Sequence, residues 1–199
     1  MELIVSGRTN RTAVRFGFGV AFILIVCSAC KPAPDQERLN WEDRARVVKK
    51  HMETYPNFRL LLEKQLKKSE ATRAKADKIK DKQKRGETLV RASDMLNNEL
   101  TRGLTLYGKR RAALLERSRE LRRLRPPRKL RDIVKQDMKT AREARLEARK
   151  MMRNKAAVAG AETAVETVRK ANEKLGEALG NLERTVKRIQ ATKKTGKKR

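Results

Sequence analysis

The sequence predicts an all-α protein, a long antiparallel helical hairpin of the coiled-coil type preceded by a short amphipathic helix. Ala, Glu, Lys, Leu and Arg dominate the composition, which is typical of long helices and coiled coils. Aromatic residues make up 4% of the chain, so seams between helices must supply the packing in place of a thick globular core. After Pro34, the remaining prolines are Pro56 and the pair Pro126-Pro127, which divide the body into three helical segments.

Residues 1–30 have the pattern of an export signal. Arg8, Arg11 and Arg15 precede a short apolar run over residues 16–29, and small residues stand directly before Cys30. A membrane span needs about 20 apolar residues, so this shorter run favours a cleaved signal peptide over residues 1–29. An uncleaved membrane anchor and an ordinary secretory signal, which would leave Cys30 as a lone thiol, stay open as alternatives.

The residues Cys27-Ser28-Ala29-Cys30 resemble the lipobox of bacterial lipoproteins. In that family a dedicated signal peptidase cuts before the cysteine, whose thiol is first acylated. The resemblance implies cleavage after Ala29 and a lipid such as palmitate on Cys30. Cys27 departs from the pattern, in which Leu usually holds that place. Lys31 is not the Asp that retains enterobacterial lipoproteins in the inner membrane, so the resemblance implies a lipid-anchored envelope protein on the outer membrane, facing the periplasm.

Residues 30–39 are predicted to be a linker between the anchor and the body, because Pro32 and Pro34 exclude a regular helix there. Asn40 is the expected N-cap of the first helix. Apolar residues at helical spacing then form one stripe: Trp41, Ala45, Val48, Met52 and Tyr55. Pro56 is expected to end this helix near Tyr55.

The hairpin domain is predicted over residues 40–192. Its long helices run over 57–125 and 128–192 and fold back on each other at Pro126-Pro127, so that Tyr107 faces Leu146 and Gly176 faces Asp77. Gly86 is the candidate break in the first of these helices. That helix carries apolar residues at seven-residue spacing: Leu100, Tyr107, Leu114 and Leu121.

The second long helix has the clearest heptad pattern. Two interleaved sets occupy the a and d positions of a coiled coil: Val158, Val165, Asn172, Leu179 and Val186, then Ala161, Val168, Leu175, Leu182 and Ile189. The phase of the pattern slips near Lys155. Asn172 either fixes the register of the seam or lies at its edge. Self-association into a thicker bundle stays open. The tail over 193–199 is predicted to be basic and disordered, and to lie near the lipid.

The charge balance indicates the class of partner. The chain has 52 Lys and Arg against 24 Asp and Glu, a net charge of +28. Such a field favours polyanions, and export makes anionic lipid or peptidoglycan a better candidate than nucleic acid. No catalytic constellation, metal-ligand cluster or cofactor motif is evident, and His51 is the single histidine. The sequence therefore predicts a protein that is not an enzyme.

Two basic clusters are the candidate anion-binding residues. They are Arg119, Arg122, Arg123, Arg125, Arg128, Lys129 and Arg131 at the hairpin turn, and Lys197, Lys198 and Arg199 at the end of the tail. The leading hypothesis is a non-enzymatic, lipid-anchored spacer or tether whose basic turn engages an anionic envelope polymer. One alternative is a chaperone that resembles the periplasmic holdases with basic coiled-coil arms. Another is a nucleic-acid-binding coiled coil, if the export interpretation is wrong. The clusters could also serve solubility alone.

Overall fold

The computed structural model describes residues 33–154 and 159–196, and within these ranges the all-α prediction is confirmed. The proposed signal peptide, Cys30, Val158 and residues 197–199 lie outside the described residues. The described helices are α1 Pro34–Thr54, α2 Arg59–Asp77, α3 Lys82–Leu96, α4 Glu99–Arg123, α5 Arg131–Arg153 and α6 Ala161–Gly196. Short 3₁₀ turns occupy Pro56–Phe58 and Arg128–Leu130.

Helix α1 begins earlier than the sequence predicts. It starts at Pro34, so the linker predicted over residues 30–39 is wrong from that position onward. Proline suits a first helical residue, whose N–H has no partner inside the helix, and Asp35 and Glu37 in the first turn favour the positive end of the helix dipole. The predicted stripe is confirmed at Trp41, Ala45 and Val48, which are buried, and α1 ends at Thr54 before Pro56 as expected.

Helices α1, α2 and α3 form a bundle closed by a buried hydrogen-bond relay. Trp41 Nε1 donates to Ser69 Oγ at 2.7 Å, and Ser69 Oγ donates to the carbonyl oxygen of Ala92 at 2.6 Å. An ion pair between Arg38 and Asp77 joins the start of α1 to the end of α2. These contacts make α2 antiparallel to both of its neighbours.

The long helix predicted over residues 57–125 is wrong, because it is broken twice by capped helix starts. Asp81 caps α3 by accepting a hydrogen bond from the Lys84 backbone N–H at 2.9 Å. Asn98 caps α4 in the same way, through the Thr101 N–H at 3.0 Å. Each cap satisfies a backbone donor that a new helix would leave free. Gly86, the predicted break, is buried inside α3.

The helix predicted over residues 128–192 is also two helices, so the single long hairpin is wrong. Helix α5 ends at Arg153, Asn154 is its C-cap, and α6 begins at Ala161. Two contacts show that α6 runs parallel to α4, because Gly103 faces Val168 while Arg110, farther along α4, packs against Gly176, farther along α6. Asn172 Nδ2 donates to the Gly103 carbonyl oxygen at 2.9 Å, and Arg110 Nη1 donates to the Asn172 carbonyl oxygen at 2.7 Å.

Helix α5 runs antiparallel to α6. Lys174 pairs with Glu147 at 3.3 Å, and Thr185 Oγ1 donates to the Asp137 carboxylate farther along both helices. Helices α4, α5 and α6 are therefore a second three-helix bundle in which α6 packs against both partners. The heptad positions that were predicted to face the first half of the chain instead face α4 and α5, and Leu175, Leu182 and Ile189 are buried there.

Small residues on α4 and α6 set how closely these helices approach. A Cβ atom on Gly103 would lie 2.8 Å from Val168 Cγ1, so a larger residue there would force Val168 or the helices to shift. Gly176 packs against the Arg110 guanidinium rather than against Asp77, and nothing lies within 4 Å of a Cβ atom on Gly180. Asn172 is 4% exposed and lies inside the seam rather than at its edge.

The two bundles are joined through α3 and α4, which follow one another in one line beside α1 with a break at Asn97 and Asn98. Helix α1 runs parallel to this line, since Arg44 pairs with Asp94 and His51 hydrogen-bonds to Thr105. The turn after α1 reaches the middle of α4, where the rings of Tyr55 and Tyr107 are 5.9 Å apart. At 1.5 Å per residue, the path along α1 and then along the rest of α4 places Pro34 about 55 Å from the end of α4.

Candidate functional site

The turn between α4 and α5 presents the predicted basic cluster to solvent. Buried Leu121 and half-buried Leu124 and Leu130 fix the turn to the core, while Pro126-Pro127 prevents the helix from continuing. Seven side chains of the turn are all exposed, and none forms an ion pair with a carboxylate in the described parts of the chain: Arg119, Arg122, Arg123, Arg125, Arg128, Lys129 and Arg131. The structure thus brings the seven predicted residues together on one surface.

The C-terminal part of α6 adds cations to the same surface. Glu183 of α6 acts on the charge of Arg117 of α4, which places the two residues at one level along the parallel pair. Since parallel helices rise equally per residue, the last turns of α6 lie level with the α4–α5 turn. The exposed cations of these turns are Lys187, Arg188 and Lys193. We refer to these three and the seven residues of the turn as the basic end.

Few carboxylates neutralise the basic end. No Asp or Glu follows Glu183 in the sequence. Glu120 is engaged by Arg117 at 2.5 Å, and this hydrogen bond is the main reason that the pKa of Arg117 is raised. Asp132 lies 3.6 Å from Lys135. The remaining positive charge is available to an external anion.

The structure corrects the predicted position of the tail. Helix α6 continues to Gly196, so the tail predicted as disordered from residue 193 is helical at its start, and it lies at the end of the body opposite Pro34. It therefore does not lie near the start of the body, as the hairpin hypothesis required. Lys197, Lys198 and Arg199 are outside the described residues. The sequence-based prediction did not place the α4–α5 turn and the end of α6 at the same end of the body. The slip in the heptad phase near Lys155 and the nearby Gly160 were signals of a chain reversal.

A second basic turn lies at the opposite end of the body. The exposed lysines of the α2–α3 connection and of the first turn of α3, here called the lysine turn, are Lys78, Lys80, Lys82 and Lys84. The Arg38–Asp77 ion pair places this turn beside the beginning of α1. The body thus carries a cationic surface at each end, and the larger of the two is the one far from Pro34.

The described residues contain no group of three or more His, Cys, Asp or Glu side chains able to hold a metal ion. His51 Nε2 lies 2.9 Å from Thr105 Oγ1, and burial, followed by the charge of Lys50, lowers the pKa of the imidazole below 6.5. These contacts give His51 a place in the packing between α1 and α4.

Comparisons with protein families, with curated proteins and with solved structures give no match for this chain. None of the helices in the described ranges is long and apolar enough to cross a membrane. The position and chemistry of the two ends are therefore the basis for a functional proposal.

Proposed function

We propose that the protein is a non-enzymatic, lipid-anchored protein of the bacterial cell envelope that acts as a spacer or tether. A lipid on Cys30 holds the chain at the outer membrane, facing the periplasm. The helical body carries the basic end away from that membrane. There the basic end binds an anionic polymer, for which the carboxylates of peptidoglycan are the leading candidate.

The observation that carries this proposal is the convergence of two separate basic segments at one end of the body. The α4–α5 turn and the last turns of α6 are more than 50 residues apart in sequence, yet they form one surface. This surface lies about 55 Å along the helices from Pro34, which is four residues after Cys30 in the sequence. Placement at opposite ends is what a tether between two surfaces requires.

Electrostatics explain why a polymer suits this surface. Single exposed ion pairs contribute about 0–1 kcal/mol, so one carboxylate would bind weakly. A polymer with repeated negative charges engages several cations at once, and the later contacts become intramolecular. The exposed side chains of the basic end can follow different spacings of charge, because they lie on a turn and two helix ends.

Sedimentation with purified peptidoglycan tests the basic end. Replacing Arg122, Arg123, Arg125 and Arg128 with Gln, the four-arginine variant, should lower the apparent affinity by about tenfold or more at low salt. The matched control replaces Lys78, Lys80, Lys82 and Lys84 with Gln, which removes the same charge from the lysine turn. Equal losses in the two variants would mean that net charge alone drives binding. Unchanged sedimentation of the four-arginine variant would remove the basic end from the mechanism.

The anchor is tested separately. Cys30→Ser should release the protein from membrane fractions, and intact-mass measurement of the N-terminal peptide should show cleavage after Ala29 together with acylation. Retention of the Cys30→Ser protein in the membrane would contradict the lipid anchor and favour an uncleaved apolar segment.

A further inference from the structure

A polar pocket lies where the two helical bundles meet. The turn after α1 reaches α4 and the end of α5 there, and Asn57 Nδ2 holds the junction by donating to the Met152 carbonyl oxygen at 3.3 Å. The pocket has a volume of about 450 Å³, within the usual range for small-ligand sites. Along α4, Arg111 of this pocket is about 12 Å from Arg119, the nearest residue of the basic end on that helix.

Three guanidinium groups line this pocket. They belong to Arg111 on α4 and to Arg149 and Arg153 on α5. No carboxylate is among the described residues that line it, and none of the three arginines has an ion pair within the described chain. All three arginines are exposed to solvent. Here three are drawn together by the packing of α1, α4 and α5.

Two tyrosines complete the pocket, and they are the only tyrosines in the chain. Tyr107 is 3% exposed, and neither it nor Tyr55 has a hydrogen bond from its hydroxyl to another described residue. Neither hydroxyl is among the buried polar side-chain atoms that lack a partner in the described residues, so both are open to solvent in the pocket. Burial raises the pKa of both tyrosines, although Arg111 acts in the opposite direction. Both hydroxyls are therefore protonated at neutral pH and able to donate.

We propose that this pocket binds the phosphate group of a small phosphomonoester. Guanidinium groups match phosphate oxygens in a bidentate geometry, and the two phenols supply further donors. A phosphomonoester carries a charge of about −2 at neutral pH, which offsets more of the three positive charges than a single carboxylate would. The volume that the phosphate leaves unfilled accommodates a small organic group such as glycerol.

The tyrosine rings provide a specific readout, because both line the pocket. Full-length protein in neutral maltoside micelles, with ¹³C-labelled tyrosine, is titrated with glycerol phosphate at constant ionic strength. The expected result is a saturable shift of the ring resonances. Glycerol with sodium chloride should give none. Bilayers containing phosphatidic acid form a second arm. A response to glycerol phosphate identifies a soluble ligand, and a response to the lipid alone identifies a headgroup.

Variants identify the groups involved. Arg111→Gln and Arg149→Gln should each weaken binding by about tenfold or more, and Tyr107→Phe, which keeps the ring, by about threefold to tenfold. Arg142→Gln, at an exposed position of α5 outside both the pocket and the basic end, is the matched control and should leave binding within about twofold. A lack of saturable shift in both arms would overturn the proposal. So would equal binding by wild type and the two pocket-arginine variants, and neither result would bear on the proposed tether.

Discussion

The contact between Gly103 and Val168 allows a sharp test of the parallel packing of α4 and α6. Replacing Gly103 with Ala would place its Cβ atom 2.8 Å from Val168 Cγ1, inside the distance that real Cβ contacts show. Both positions are within helices, and Val168 is 1% exposed, so its methyl group has little room to move. In the single long hairpin, residues 103 and 168 would lie far apart and the substitution would meet no such obstacle.

The expected change in stability follows from two opposing effects. Alanine is favoured over glycine in a helix interior by about 0.5–1 kcal/mol. Overpacking of a well-packed core costs about 1–3 kcal/mol. Gly103→Ala should therefore lower the free energy of unfolding by about 1 kcal/mol, within a range of about 0–2.5 kcal/mol. Gly180→Ala is the matched control, because nothing lies within 4 Å of its added methyl group, and it should raise stability by about 0.5–1 kcal/mol.

Urea denaturation followed by helical circular dichroism measures both changes, and a double-mutant cycle isolates the clash. In a Val168→Ala background the obstacle is absent, so Gly103→Ala should become stabilising there. A coupling energy near zero between the two positions would refute the contact. Equal stabilisation by Gly103→Ala and Gly180→Ala would refute the parallel arrangement of α4 and α6 with it.

Three further predictions follow from the same structure. Ser69→Ala leaves the buried Trp41 N–H without its acceptor and should lower the free energy of unfolding by about 1–3 kcal/mol. Ser93→Ala removes a buried hydroxyl that has no partner among the described residues, so it should be neutral or stabilising, and a larger loss at Ser93 than at Ser69 would contradict the relay. The pKa of His51 is lower in the folded chain, so the unfolded chain binds the proton more readily and the free energy of unfolding falls as the pH drops below 6.5. This fall should be smaller in His51→Gln, and identical pH profiles for the two proteins would contradict a lowered pKa at His51. Repulsion within the basic end should make the urea midpoint rise with added salt, because salt screens the like charges. The four-arginine variant should show a smaller rise and a higher midpoint at low salt. An equal salt response in both proteins would show that these charges do not repel one another in the folded protein.

The sequence predicts the buried faces well because apolar periodicity is a local property of each helix. The stripe of α1 and the spacing of Leu100, Tyr107, Leu114 and Leu121 both mark buried surface. The ends of helices are harder to predict, because they depend on single polar side chains. Asp81 and Asn98 interrupt an otherwise continuous pattern by capping new helices, while Gly86 is tolerated inside α3.

The pairing of helices could not be read from the same pattern. The a and d positions of α6 specify that it has apolar neighbours, but not which neighbours. That choice depends on the reversal between α5 and α6, which changes the partner of α6 from the first half of the chain to α4. The composition of the basic end depends on the same choice. The seven cations of the turn were predictable from sequence, but Lys187, Arg188 and Lys193 lie beside them only because α6 runs parallel to α4.

The parallel direction of α6 beside α4 has an electrostatic cost that bears on function. Like charges brought to one end of a folded body destabilise it, and an antiparallel α6 beside α4 would have kept the two basic segments apart. Exposed cations also contribute nothing to the buried core, which here consists of apolar residues on α4, α5 and α6. Any ligand that binds the folded basic end and not the unfolded chain recovers this cost as added stability. A polyanion is the ligand class that does so, which is why the arrangement favours a binding surface over charges that serve solubility alone.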